Sequence, residues 1–267
     1  MRVLDTVCGM AFYLPLGAGR FRSTRHTTGP WDARSQHGGP PSALLGRAVE
    51  QCAPRDDMLV ARVTVELLGA VPVDEVEVRV RVTRPGRSVE LVEAVMAGGG
   101  RDVARAQAWR IRRTEGAAVP SRAPAAPALP EPSVDRPVDG WVEGYLQAIE
   151  WRFAVGHFTD GGPSTVWGRM REELVEGEQP SPLQRVLVVA DSGNGVSSEL
   201  DLARWHFINP ELTVHLHRAA VGDWICLDAA TTISDGGVGL ATSVLSDAIG
   251  PVAVGAQSLL VAPRPAP

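Results

Sequence analysis

The sequence predicts an α+β fold made of two copies of one unit, each an antiparallel β-sheet wrapped around a central helix. Three observations carry this expectation: a weak internal repeat, a run of four short strands in each copy, and one apolar helical stretch ahead of each run. In the repeat, Val63-Thr64-Val65-Glu66-Leu67 is echoed by Leu212-Thr213-Val214-His215-Leu216, and Asp74-Glu75-Val76 by Asp223-Trp224-Ile225. The copies end alike, in Arg105-Ala106-Gln107-Ala108-Trp109 and Gly255-Ala256-Gln257-Ser258-Leu259, with the register shifted by one position.

The first helix is expected over Pro40–Cys52. Proline suits a first helical turn, where its missing N–H is not needed. The stretch is apolar on most of its circumference, so it should be buried. Strands follow near 60–70, 75–84, 87–97 and 102–112, with Gly98-Gly99-Gly100-Arg101 turning the third into the fourth. A Pro- and Ala-rich stretch comes next, and such a composition makes an extended linker rather than a core. The second helix is expected from Ser181-Pro182 through Ala190 into Asp191-Ser192-Gly193-Asn194-Gly195, with Ser181 as cap. Val186-Leu187-Val188-Val189 also fits a strand with Asn194-Gly195 as its hairpin turn, and the repeat is what favours the helix. The second set of strands falls near 211–218, 223–232, 236–247 and 251–262. The expected division is an N-terminal unit over 1–113, a linker over 114–140 and a C-terminal unit over 141–267.

Composition narrows the function. Of 267 residues, 44% are hydrophobic and 21% charged, the profile of a globular chain. A net charge of -5 gives no electrostatic case for nucleic acid, and the run at Arg110, Arg112 and Arg113 reads as a solvated strand end or a local phosphate contact. Three cysteines without CxxC spacing argue against disulfides and a Cys-rich zinc site, and His215 with His217 lack an evident third ligand. No stretch approaches the ~18 apolar residues of a membrane span. The start of the chain reads as a strand and turn rather than a signal peptide, so a cytoplasmic location is expected.

Two stretches resemble the TesB-like double-hotdog acyl-CoA thioesterases, especially those of actinobacterial type. One is Gly29-Pro30-Trp31-Asp32 followed by Gln36-His37-Gly38-Gly39-Pro40-Pro41-Ser42-Ala43-Leu44-Leu45. The other runs from Ala190-Asp191-Ser192-Gly193-Asn194-Gly195-Val196-Ser197 through Phe207-Ile208-Asn209-Pro210 and Leu212–Arg218 to Ala256-Gln257-Ser258-Leu259. The resemblance implies a double hotdog and hydrolysis of an acyl-CoA or acyl-carrier thioester, without a cofactor or metal. It also implies a site in which an Asp, a Thr and a Gln hold the attacking water. The Asp matches Asp191, the Gln matches Gln257, and the Thr position falls on Asn209, a departure that puts an amide in place of a hydroxyl.

The residues themselves allow that chemistry. A carboxylate near a water can serve as general base, the part assigned to Asp191; an Asp in a DSGNG stretch can also be a turn or cap residue. Gln257 would orient water or carbonyl, although its echo at Gln107 suits a structural role in one copy. His37, Gly38 and Gly39, just before a helix, would bind substrate, with helix N–H groups facing the oxyanion. No G-x-S-x-G elbow is present. Two other readings stay open: a hydratase or dehydratase using His37 and Asp191, and a non-catalytic acyl-binding protein. The fold also suggests a homo-oligomer formed through sheet or helix surfaces.

Overall fold

A computed structural model describes residues 11–30, 32–114, 116, 124–132, 143–201 and 204–264. In chain order the elements are β1 (Ala11–Gly17), β2 (Arg20–Ser23), a 3-10 turn (Arg25–Thr27), α1 (Gly39–Gln51), β3 (Met58–Leu67), β4 (Glu75–Arg84), β5 (Val89–Gly98) and β6 (Arg101–Arg112). The second half holds α2 (Tyr145–Ala148), β7 (Ile149–Val155), β8 (Ser164–Met170), β9 (Glu173–Val175), α3 (Pro182–Ala190) and α4 (Gly193–Val196). It ends in β10 (Trp205–Ile208), β11 (Glu211–Leu216), β12 (Ile225–Ile233), β13 (Val238–Asp247) and β14 (Gly250–Pro263). Of the expected linker, 114, 116 and 124–132 are described, and Trp31, Cys8 and the rest of the linker lie outside the described residues.

The four strands expected in each copy all form and pair antiparallel, but they are not simple meanders: β3 lies beside β6 and β11 beside β14, so the first strand of each set pairs with the last. The two sheets are not separate. β3 and β11 pair antiparallel, Val63 opposite Val214 and Val65 opposite Leu212, so the order runs β7-β8-β12-β13-β14-β11-β3-β6-β5-β4-β2-β1-β9 as one sheet. Joining two edges in this way satisfies backbone groups that each unit alone would leave open. β7 to β10 were not foreseen. β9 and β10 are short, β7 carries charge at Glu150 and Arg152, and all four are held by the neighbours they pair with.

α1 packs against β3 to β6, α3 against β8, β12 and β13, and the helices pack against each other. Val186–Val189 is helical, capped by Ser181 Oγ accepting from the Gln184 N–H at 3.2 Å. The helices cross closely because residue 46 is glycine: a Cβ there would come 2.5 Å from Leu187 Cδ1. Asn194-Gly195 is not a hairpin turn; it lies in α4.

Two sequence expectations fail on side-chain direction. Gln107 lies between the buried Ala106 and Ala108 and is only half-buried, whereas Gln257 is 2% exposed on the core face. Thr64 pairs with Gln107 but Thr213 pairs with Ala256, so the structural counterpart of Gln257 is Ala108. A one-residue slip puts the echo on the opposite face. Arg110 is not a solvated strand end: it is buried, ion-paired with Glu90, and donates to the Cys52 carbonyl at 2.9 Å. Arg112 at the surface meets Asp57 at 3.0 Å.

Candidate active site

Asp191 follows the last turn of α3 as its C-cap and is 3% exposed. Three elements converge on it. Asn209, in the break between β10 and β11, donates its Nδ2 to Asp191 Oδ1 at 2.8 Å and to the Glu211 carbonyl at 3.3 Å. Gln257 on β14 donates its Nε2 to the Asp191 carbonyl at 3.1 Å and to Oδ1 at 3.3 Å. The amide of Gln257 cannot be turned round, because its Oε1 accepts the Asn194 N–H at 3.1 Å. From the other half of the chain, the Gly38 N–H donates to the Asp191 carboxylate.

The geometry brings together all six residues singled out in the sequence. It also explains the glycines. A Cβ on Gly38 would lie 2.6 Å from Asp191 Oδ2, and one on Gly39 would lie 2.4 Å from the Val188 carbonyl oxygen. Only glycine lets the start of α1 approach the end of α3 this closely.

The expected use of these amides as oxyanion donors does not match their bonding. The Gly38 N–H is committed to Asp191, the Gly39 N–H donates to His37 Nδ1 at 3.0 Å, and Pro40 and Pro41 have no N–H. The first turn of α1 therefore acts on the carboxylate. Its N-terminal partial charge faces Asp191, offsetting the C-terminal end of α3 on which that residue sits.

Burial dominates the electrostatics. It pushes the Asp191 carboxyl from its ordinary 3.8 to about 7, against the lowering effect of hydrogen bonds from Asn209, Gln257 and Gly38. His37 is pushed down to about 3, also by burial. His37 Nδ1 stands 3.3 Å from Asp191 Oδ2, but this is no ion pair: Nδ1 is the acceptor for Gly39, so the ring is neutral and carries its proton on Nε2.

Tyr145 is a part of the site that sequence reasoning missed. Its ring stacks on His37, centroids 3.8 Å apart and planes 7° apart. Its hydroxyl lies 2.8 Å from the Val188 carbonyl, to which it donates, and 2.8 Å from Ser192 Oγ. It precedes β7 in a segment with no echo in the first copy, so the repeat gave no signal for it.

Comparison with known proteins identifies the family of the chain. A family model described as the acyl-CoA thioesterase N-terminal domain matches residues 27–111, and one described as the acyl-CoA thioesterase C-terminal domain matches residues 120–261. Among solved structures the chain is similar to an acyl-CoA thioesterase II, TesB2, from Mycobacterium marinum, at 17% identity over 96% of each chain with a TM-score of 0.65. It is similar to the tesB protein of Mycobacterium avium subsp. paratuberculosis at 17% identity over 94% of this chain and 96% of that one, TM-score 0.65. A conserved protein with a hot dog fold from Alicyclobacillus acidocaldarius gives 15% identity, the same coverage and a TM-score of 0.70. These likenesses show the fold. No curated protein matches the sequence.

Proposed function

The chain belongs to the acyl-CoA thioesterase family and is a thioester hydrolase of double-hotdog fold, and from that premise we propose that Asp191 activates the water that attacks the thioester. The observation that carries this reading is a buried carboxylate held by two side-chain amides and a helix start, a setting in which burial pushes its pKa up to about 7. A base with that pKa is part-ionised at neutral pH and still strong enough to accept a proton.

In this mechanism Asp191 takes a proton from water as the oxygen bonds to the thioester carbon. Asn209 and Gln257 fix the carboxylate through Oδ1, leaving Oδ2 to the water beside Gly38. Both Nδ2 hydrogens of Asn209 are engaged, so Asn209 meets the water through its Oδ1 as an acceptor. The neutral His37 offers its Nε2–H to the carbonyl oxygen, which becomes the oxyanion. Collapse breaks the C–S bond and expels the thiolate, which takes up the proton held by Asp191. The products are a carboxylic acid and a thiol.

The His37–Asp191 contact of 3.3 Å is also the arrangement a hydratase would need. His37 is pushed down to about 3 and has its Nδ1 occupied by Gly39, which leaves it a poor proton acceptor and favours hydrolysis. The proposal includes the division of the chain near 113 and 141, a cytoplasmic enzyme of lipid metabolism, coenzyme A or a carrier protein as leaving thiol, self-association, and no cofactor. Among the described residues no helix is long and apolar enough to cross a membrane.

The test of the water mechanism is a single turnover in 18O-labelled water with enzyme in excess over octanoyl-CoA. Direct attack by water puts one 18O into the acid formed in that first turnover. An acid carrying only 16O would mean that a carboxylate of the protein attacked, and would overturn the role given to Asp191.

A further inference from the structure

The two halves are related by an internal two-fold axis, which the helices make explicit. Gly46 of α1 faces Leu187 of α3 at the crossing. The numerical offset between those two residues also relates Pro41 to Pro182, and Glu50 to Asp191. A residue touching its own counterpart is what an isologous contact requires.

Glu50 repeats the setting of Asp191 at the opposite end of the helix pair. Asp191 meets Gly38 at the start of α1; Glu50 accepts from Ser181 Oγ at 2.7 Å and from Gln184 Nε2 at 3.2 Å at the start of α3. The strands agree. Leu59 pairs with Ile111 as Ile208 pairs with Leu260, and Thr64 with Gln107 as Thr213 with Ala256. Val60 therefore occupies the place of Asn209, and Ala108 that of Gln257. The carboxylate is kept, and both strand amides that hold it in the first site are replaced by aliphatic side chains.

A cavity of about 340 Å³ opens beside Glu50. Met58, Val60, Leu183 and Leu216 give it an apolar wall. Arg55, Arg110 and Arg113 also line it, against the carboxylates of Glu50 and Asp56. Arg110 and Arg55 are held by Glu90 and Asp57, while Arg113 is exposed. Burial raises the pKa of Glu50, because its surroundings disfavour the charged carboxylate.

We infer that this cavity is a second ligand site, which binds without hydrolysing and takes an amphipathic monoanion of the medium-chain carboxylate class. The chain lies along the apolar wall and the carboxylate meets Arg113. Without counterparts of Asn209 and Gln257, no strand amide positions Glu50 to activate a water. The volume is at the small end of ligand pockets, which suits a single acyl chain rather than a whole coenzyme thioester.

The experiment is titration of the full chain with octanoate, by calorimetry and by NMR of the 13C-carboxyl label. Octanol serves as the uncharged control, and octanoyl-CoA hydrolysis is measured on the same preparations. Ala219→Trp fills the cavity from a half-buried lining position; Arg113→Glu reverses one exposed charge and leaves the core untouched. Octanoate affinity at this site should fall about tenfold or more in Arg113→Glu, the worth of a charge-assisted contact, while octanol binding holds. Ala219→Trp should abolish both, and Asp191→Asn should abolish neither. If octanoate also occupies the hydrolytic site, the wild type binds two and Ala219→Trp binds one. Identical affinity and stoichiometry in wild type and both cavity variants would overturn the inference. Failure of the wild type to hydrolyse octanoyl-CoA would count against the hydrolase reading alone, because the octanoate titrations are read independently.

Discussion

Asp191→Asn should make the protein more stable relative to wild type as pH rises, while removing its activity. Burial lifts the Asp191 carboxyl from 3.8 to about 7. Its folded-state pKa is raised, so between those two values the folded state binds more protons than the unfolded one. Stability is fully present below about pH 4 and is lost as pH climbs through 7. The whole shift corresponds to about 4 kcal/mol, of which about 3 kcal/mol falls between pH 5 and pH 8. Asn cannot ionise and escapes this loss. It does place an NH2 group against either the Gly38 N–H or the amides of Asn209 and Gln257, costing about 1–3 kcal/mol, but that cost does not change with pH. His37, whose folded pKa is depressed to about 3, acts in the opposite sense and is common to both proteins, so it cancels in the comparison. The assay is urea unfolding of wild type and variant at pH 5, 6, 7 and 8. The stability of the variant relative to wild type should rise by about 3 kcal/mol across the series, roughly 1 M in midpoint. A flat difference would refute the claim that Asp191 is held in a site that opposes its charge.

Other consequences are open to measurement. The kcat/KM for acyl-CoA hydrolysis should rise with pH through about 7, since the base must be ionised. In Asn209→Ala that inflection should move upward, because the lost hydrogen bond favoured the charged form; a downward move would contradict the assignment. Gly39→Ala drives a Cβ against the Val188 carbonyl, a backbone atom, and should cost about 2 kcal/mol in urea unfolding. Gly46→Ala meets only the movable Cδ1 of Leu187 and should cost less. Tyr145→Phe keeps the stack on His37 but loses the hydroxyl contacts to Val188 and Ser192, so it should lower stability by about 1 kcal/mol and leave turnover nearly intact.

How much of this was legible in the sequence depends on where each signal lay. The strands of each copy and α1 could be read because burial alternates along β5 and β13 and encloses α1, and hydrophobic pattern encodes burial. The helical state of Val186–Val189 came only from the repeat, because a fully buried apolar run has no period to separate helix from strand. Asp191, Asn209 and Gln257 were found by resemblance, and the structure brings them within hydrogen-bonding distance. What could not be read was direction. Gln107 and Gln257 look equivalent in sequence but face opposite sides of the sheet, and Gly38 and Gly39 spend their amides inside the protein. Both facts depend on a register and on a helix approach that local sequence does not determine. The β3–β11 junction was hidden for the same reason: strand pairing between copies is a long-range choice.

The central claim is that Asp191 activates water for thioester hydrolysis, and the most direct measurement is thiol release from octanoyl-CoA by wild type and Asp191→Asn side by side. The wild type should turn over, and a variant that is still folded should lose at least about 10²-fold. Equal turnover by the two proteins would contradict it.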